Sequence, residues 1–502
     1  MSKLLFGWSE IDITPEKKVS LRGQFAERIS EYVEKPLTAT ALAVSSDDDH
    51  MIMVGVDIIA ISCNLVAAIR ERLAAANPGF DPQKVFLSAI HTHTGPDYDT
   101  QDQTTAYTPH ISLRQRVEAL LPPGKKYIEN ARLSDNPDIA TNEEIFDMLT
   151  ERLSKVVLDA WNNRAPGSFS NAFGRAAVGN CRRACFSDGS AQMWGETATA
   201  MFTELETGCD TGIELLYVND AEGNLKGIVA NLACPAQSVQ HRLFVSPDFW
   251  GEAKVRIRKH FGDHVFLLPQ CSAAGDQCPV DLIRWVEPES DVNDPNINRK
   301  NPVKRNADPS MFDLAGMRVV GRRIANEIIE VYEAGLPAPI TDAEFEHQVH
   351  VMHLPLRRAT LTDVKNAKRA LKEYIQDVEG DVNYNDSAMM LINLGLLIRA
   401  EVQEKMDIVN TEVHLVRMGP IAFATNPFEL FLNYGNLIKA RSLAEQTFVV
   451  QLCNGGEGYL PTEKAEHGGH YSDFIASGLV GHVGGEQLVR ETVQGINNMF
   501  SK

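Results

Sequence analysis

The chain has 502 residues, of which 44% are apolar, 23% charged and 7% aromatic. This is an ordinary globular composition, and it excludes collagen, a disulfide-dense mini-protein and a largely disordered chain. With 48 basic against 67 acidic residues the net charge is −19, so phosphate backbones and anionic membrane surfaces are repelled, and neither nucleic acid nor a bilayer is an expected partner. No run of about 18 apolar residues occurs. The opening segment Met1–Lys18 lacks the apolar stretch of a secretion signal, so a cytoplasmic location is expected.

In chain order, Met51–Ala60 is continuous and β-branched, as in a strand covered on both faces. Asn64–Ala76 has helical periodicity, and Lys84–Ile90 returns to a strand. Thr141–Asn163 opens with a capping-box pattern and continues as an amphipathic helix. Ile213–Val218 and Gly227–Leu232 form a hairpin. Asp248–His260 and Met311–Ala334 are expected helices, with a strand at His264–Leu268 between them. Two helices are expected within Thr360–Glu404, then a hairpin of Glu412–Met418 and Ile421–Ala424. Phe428–Ala444 reads as a helix, Phe448–Leu452 as a strand and Gly485–Phe500 as a closing helix. The fold class is α/β, with a mixed β-sheet core flanked by helices. One large domain over residues 1–502 is expected, with long polar insertions at about 97–138 and 286–309.

Chemistry-bearing residues gather just past strands. His91 and His93 follow the strand ending at Ile90. In extended chain they would face one space, at a spacing that suits either a divalent metal or a hydrogen-bonded pair. Gln270–Pro279 contains Gly275, Asp276 and Cys278, small and polar residues that let backbone approach a ligand. Asn231–Gln237 with Cys234, Thr425–Glu429, and Asn454–Thr462 with Tyr459 also end strands, where open α/β sheets build ligand sites. The eight cysteines include no CxxC pair, which argues against a zinc ribbon or a redox motif.

The set of motifs resembles the N-terminal catalytic domain of the neutral (neutral/alkaline, non-lysosomal) ceramidases. The matching segments are Phe6–Pro15 with its D-I-T-P, Leu21-Arg-Gly23, Pro36–Leu42, Val56-Asp57, His91–Pro96, Gly275–Pro279, Asn426–Glu429, Gly458–Thr462 and Tyr471. The resemblance implies a zinc amidase in which His91, Glu429 and Tyr459 hold Zn2+. His93 would then be a neighbouring proton carrier, and Tyr471 would steady the oxyanion. Arg182 or Arg183 would bind substrate. The family's second histidine ligand is replaced by Cys234, with His241 as the alternative, and the family's serine is replaced by Cys278. The family's C-terminal immunoglobulin-like domain is not expected here.

The expected function is metal-assisted hydrolysis of an amide (N-acyl) bond in a soluble, polar small molecule. His93 or Asp276 would move the proton, and backbone N–H groups around Gly275 would help hold the oxyanion. A thiolate route through Cys278 is the rival within that reaction. Other readings are a zinc lyase, isomerase or ester/lactone hydrolase acting on a sugar-like molecule, and a non-catalytic binding protein on a decayed scaffold.

Overall fold

The computed structural model describes residues 2–24, 28–77, 79–99, 113–128, 136–283 and 312–501. The polar stretch expected at 286–309 lies outside the described residues, as does much of 97–138. Eight strands form the larger sheet: β1 (Leu5–Asp12), β2 (Thr38–Ser45), β3 (His50–Val56), β4 (Val85–Ala89), β5 (Ala165–Arg175), β6 (Gly212–Asp220), β7 (Leu225–Leu232) and β8 (Phe266–Cys271). Their spatial order is β8-β7-β6-β5-β1-β2-β3-β4. The two outermost pairs, β8/β7 and β3/β4, are parallel and the rest antiparallel, so the sheet is mixed as the sequence predicts.

A second sheet has the order β9 (Phe345–Pro355), β10 (Ile408–Met418), β11 (Ile421–Thr425), β12 (Gln446–Val450). It packs face to face on the first. Side chains alternate along each strand. Met51, Met53 and Phe86 from the larger sheet therefore meet Val416, Phe423 and Phe448 from the smaller in one core, with the Phe423 and Phe448 rings stacked at 4.6 Å. The opposite faces are covered by helices. α1 (Cys63–Ala76) and α2 (Asn142–Asn162) lie over Ile52, Val54 and Val56. α3 (Phe249–Phe261) and α4 (Asp313–Glu333) lie over Ile228, Ala230 and Leu232. Then come α5 (Leu361–Asp377), α6 (Tyr384–Val402), α7 (Leu432–Arg441) and α8 (His482–Phe500), of which α7 and α8 cover the outer face of the smaller sheet. The architecture is helix–sheet–sheet–helix.

The predicted helices α1, α2, α3, α4 and α8 and both hairpins are present to within a few residues of the expected ends. The Thr141 capping box forms, its hydroxyl and the Glu144 carboxylate each taking a backbone N–H. Strands β1, β2, β5 and β9 were not anticipated. β9 carries three histidines and leaves much of its surface half-exposed, so its sequence looks polar. The helix expected from Phe428 begins only at Leu432, because Glu429–Leu430 first pairs in parallel with Tyr459–Leu460.

Candidate active site

The site forms where several strands of both sheets end. Just past β4, His91 takes a left-handed backbone with φ 66°, a conformation costly for a residue other than glycine and frequent at functional sites. His91 Nδ1 lies 2.8 Å from the Ile59 carbonyl. A carbonyl only accepts, so Nδ1 carries the proton and Nε2 presents a lone pair. That Nε2 is 3.4 Å from Glu429 Oε2 and 3.3 Å from His93 Nε2.

The tautomer of His93 follows from its neighbour. Arg182 Nη1 donates to Gln237 Oε1 at 3.1 Å, which orients the amide and turns Gln237 Nε2 toward His93 Nε2 at 2.7 Å. Arginine has no acceptor, so the His93 nitrogen facing His91 must itself accept. Burial lowers the pKa of both rings, His93 further than His91, since His91 and two arginines also oppose its charge. Both imidazoles are therefore neutral. The His93 Nε2 lone pair is taken by the Gln237 N–H, while the His91 Nε2 lone pair faces the Glu429 carboxylate with no proton between them. Among the described residues no group of three or more His, Cys, Asp or Glu side chains is arranged to hold a metal ion. By type, the neutral His91 imidazole, the Glu429 carboxylate and the Tyr459 phenol are ligands that zinc accepts.

Glu429 and Tyr459 are register partners in their short parallel pair, and the Glu429 N–H donates to the Gly458 carbonyl at 2.9 Å. Burial, followed by the Glu429 charge, drives the Tyr459 hydroxyl well above its ordinary pKa. The Tyr471 ring stands 5.6 Å from Tyr459 at 73°, and burial raises its hydroxyl as well. Arg182 is 3% exposed. Its Nη2 donates to Gly275 O at 2.8 Å and to Tyr459 OH at 3.3 Å, and stands 3.8 Å from Glu429 Oε2. Arg182 Nε is buried and has no hydrogen-bond partner among the described residues, as expected where a ligand supplies one.

Several candidates take other places. Arg183 points away from Arg182, as alternation along an extended chain requires. It forms a fully buried ion pair with Glu206 at 2.9 Å and donates to Ser472 and the Gly469 carbonyl, so its role is structural. Asp276 spends Oδ1 on the Leu432 N–H (2.9 Å) and Oδ2 on Thr207 (2.8 Å). It anchors the start of α7 rather than facing the histidines. The Gly275 N–H goes to the Leu430 carbonyl at 2.8 Å and is not free for an oxyanion. Cys278 donates to Val280 O at 3.3 Å, and burial pushes its thiol pKa up, which disfavours thiolate. The Cys234 sulfur lies in the core beneath α3 and donates to Val178 O at 3.4 Å. His241 stacks on Phe312 at 4.9 Å and faces Asp313. From the segment after β7, the side chain that reaches the histidines is Gln237, to which no sequence motif assigns a role. Its signal was its place just past a strand in the Asn231–Gln237 segment.

Two glycines let the site close. A Cβ on Gly23 would strike the His93 ring, and one on Gly275 would overlap the Glu429 carbonyl oxygen. Gly275→Ala is expected to cost about 1–3 kcal/mol through the forced backbone shift. Because that shift moves Glu429, metal affinity should fall as well. Denaturant melts and zinc titration of the variant check both, and an unchanged affinity would refute the close approach.

No protein-family model matches the sequence, and no curated protein matches it. Among solved structures, the neutral ceramidase from Pseudomonas aeruginosa superposes with a TM-score of 0.66 at 16% identity, over 100% of this chain and 75% of that one. A ceramidase complexed with C2 superposes with a TM-score of 0.65 at 16% identity, over 98% and 74%. The resemblance read from the motifs thus holds at the level of fold: the chain has the fold of neutral ceramidase over its whole length.

Proposed function

We propose that the chain is a cytoplasmic, zinc-dependent hydrolase of amide (N-acyl) bonds. The observation that supports the reading is the unprotonated His91 Nε2 turned to the Glu429 carboxylate at 3.4 Å, with Tyr459 the register partner of Glu429, in a chain with the fold of neutral ceramidase. His91, Glu429 and Tyr459 would hold the ion. Cys234, the sequence's candidate for the fourth corner, would have to turn from the Val178 carbonyl to reach it. When bound, zinc brings the pKa of its water near neutrality and polarises the acyl carbonyl. His93, whose carbonyl Arg28 Nη2 holds at 2.6 Å, would accept the proton at Nε2 on releasing the Gln237 N–H. Arg182 and Tyr471 would stabilise the oxygen that gains charge.

A cavity of about 610 Å³ opens beside Gly458. Its wall includes the ion pair of Arg22 and Asp99, Glu457, which burial pushes up to about 7, and apolar side chains of α6. The charged groups favour a polar, soluble substrate. One feature favours a lipid amide instead: Met389, Leu391 and Ile392 of α6 are 69%, 37% and 40% exposed, and Leu391 lines that cavity. Among the described residues no helix is long and apolar enough to cross a membrane.

Rates on short N-acyl amides and on a long-chain ceramide in detergent decide between the two. The short amides are expected to turn over at least about tenfold faster, a difference of about 1.4 kcal/mol in barrier. Faster turnover of the ceramide would overturn the polar-substrate reading, and no turnover of any amide by zinc-loaded protein would overturn the amidase itself.

A further inference from the structure

A second histidine pair lies apart from the site, between the two sheets. His347 on β9 and His414 on β10 are 3% and 0% exposed. Four groups line up through them. His347 Nδ1 is 3.0 Å from the His50 carbonyl, His347 Nε2 is 2.9 Å from His414 Nδ1, and His414 Nε2 is 2.8 Å from Glu412 Oε1. Glu412 is held bidentately by Arg70 at 2.8 and 2.9 Å, which keeps it ionised and accepting. The chain thus has an acceptor at each end and three contacts between. Each contact needs one proton, and two neutral imidazoles supply two.

We propose that His347 and His414 share a third proton as one buried imidazolium, and that with Glu412 and Arg70 it fixes Asn454 and thereby positions His91 and Tyr459. Asn454 is the link. Its Oδ1 accepts the Leu87 N–H at 2.8 Å, and its Nδ2 donates to Glu412 Oε1 at 2.8 Å and to Val85 O at 3.2 Å. Val85 and Leu87 belong to β4, which delivers His91, and Asn454 itself, at φ 53°, begins the loop that delivers Tyr459. The Asn454 side chain thus reinforces a junction that backbone bonds also make, from the Asn454 N–H to Leu87 O at 3.0 Å and from the Ala89 N–H to Leu452 O at 3.3 Å.

The groups facing the pair come from every element around it. Arg70 is on α1 and Glu412 on β10. Asp49 accepts the His347 backbone N–H at 2.8 Å, and Lys84 and His50 lie near the same ring. Thr425 accepts the His414 backbone N–H at 2.9 Å, Asn454 Nδ2 stands 3.1 Å from His414 Nε2, and the Phe86 ring lies against both imidazoles. Burial pulls both rings toward the neutral form, joined at His347 by the charges of His414, Lys84 and His50 and at His414 by Arg70, while the His50 carbonyl and Glu412 pull the other way. The hydrogen-bond count decides for the imidazolium. A neutral pair would leave a lone pair against a carbonyl, two nitrogen lone pairs 2.9 Å apart, or a His414 Nε2 lone pair 2.8 Å from an ionised carboxylate, relieved only by sharing an Asn454 Nδ2–H, 3.1 Å away, that already serves Glu412 or Val85.

The consequence for His91 and Tyr459 rests on their reading as zinc ligands; the proton count does not. The test is NMR of the full chain labelled with ring-¹⁵N histidine at neutral pH, with His347→Gln and His414→Gln used only for assignment. Three exchange-protected ring N–H protons from the pair are expected, and two would overturn the imidazolium. In Asn454→Ala the Leu87 amide should exchange faster and zinc affinity should fall about tenfold, the usual scale for a group that orients ligands. An unchanged Leu87 amide, or unchanged affinity, would overturn the positioning role. Wild-type protein that takes up no zinc would instead overturn the metal reading, with the ring protons and the Leu87 amide still judging the pair.

Discussion

His91→Ala should leave a folded protein that no longer retains zinc and hydrolyses amides about 10³-fold more slowly. The magnitude follows from losing several kcal/mol of charge stabilisation by the ion. His91 Nε2 faces the Glu429 carboxylate at 3.4 Å, so removing the ring takes one of the nitrogen donors from the cluster. The stability cost should be modest and separable. Alanine frees the Ile59 carbonyl and must still adopt φ 66°, each a penalty of about 1–2 kcal/mol. His91→Asn separates the two effects, because asparagine tolerates a left-handed backbone; it should regain stability without regaining zinc. Zinc content after dialysis, hydrolysis rate and a denaturant melt are the measurements. An alanine variant that keeps stoichiometric zinc or wild-type turnover would refute the site.

Two adjacent arginines should respond in opposite ways. Arg183→Met is expected to destabilise the fold by about 3–5 kcal/mol, because it strands the fully buried Glu206 carboxylate. What activity the remaining folded protein shows should fall less than in Arg182→Met, since Arg183 reaches the site only through Ser472 and the Gly469 carbonyl, beside Tyr471. Arg182→Met should cost about 10²-fold or more in rate, the scale of one lost oxyanion donor. Its destabilisation should be smaller, because Glu429 keeps the neighbouring Tyr459 hydroxyl. Urea unfolding and steady-state rates on the two variants decide the assignment. If Arg183→Met melts like the wild type, or if Arg182→Met retains full turnover, the roles are wrong.

The sequence by itself determined the strongly periodic elements and the blocks that carry the chemistry. The β-branched run ending near Val56, the capped helix from Thr141 and the histidines past Ile90 are encoded within a few neighbouring residues, so local pattern suffices. The motif resemblance supplied Glu429, Tyr459 and Tyr471, which no local pattern joins to His91. Only tertiary structure decided what stands beside what. Two sheets rather than one appear because β9 and β10 each show one face to the helices and one to the larger sheet, a partition invisible until the partners are in place. Gln237 enters the site, and Asp276 turns to the start of α7, through hydrogen bonds between residues far apart in the chain. Arg182 and Arg183 are one residue type at consecutive positions. The pleat alone sends one to the Glu429 carboxylate and the other to Glu206, because successive side chains on extended backbone face opposite ways.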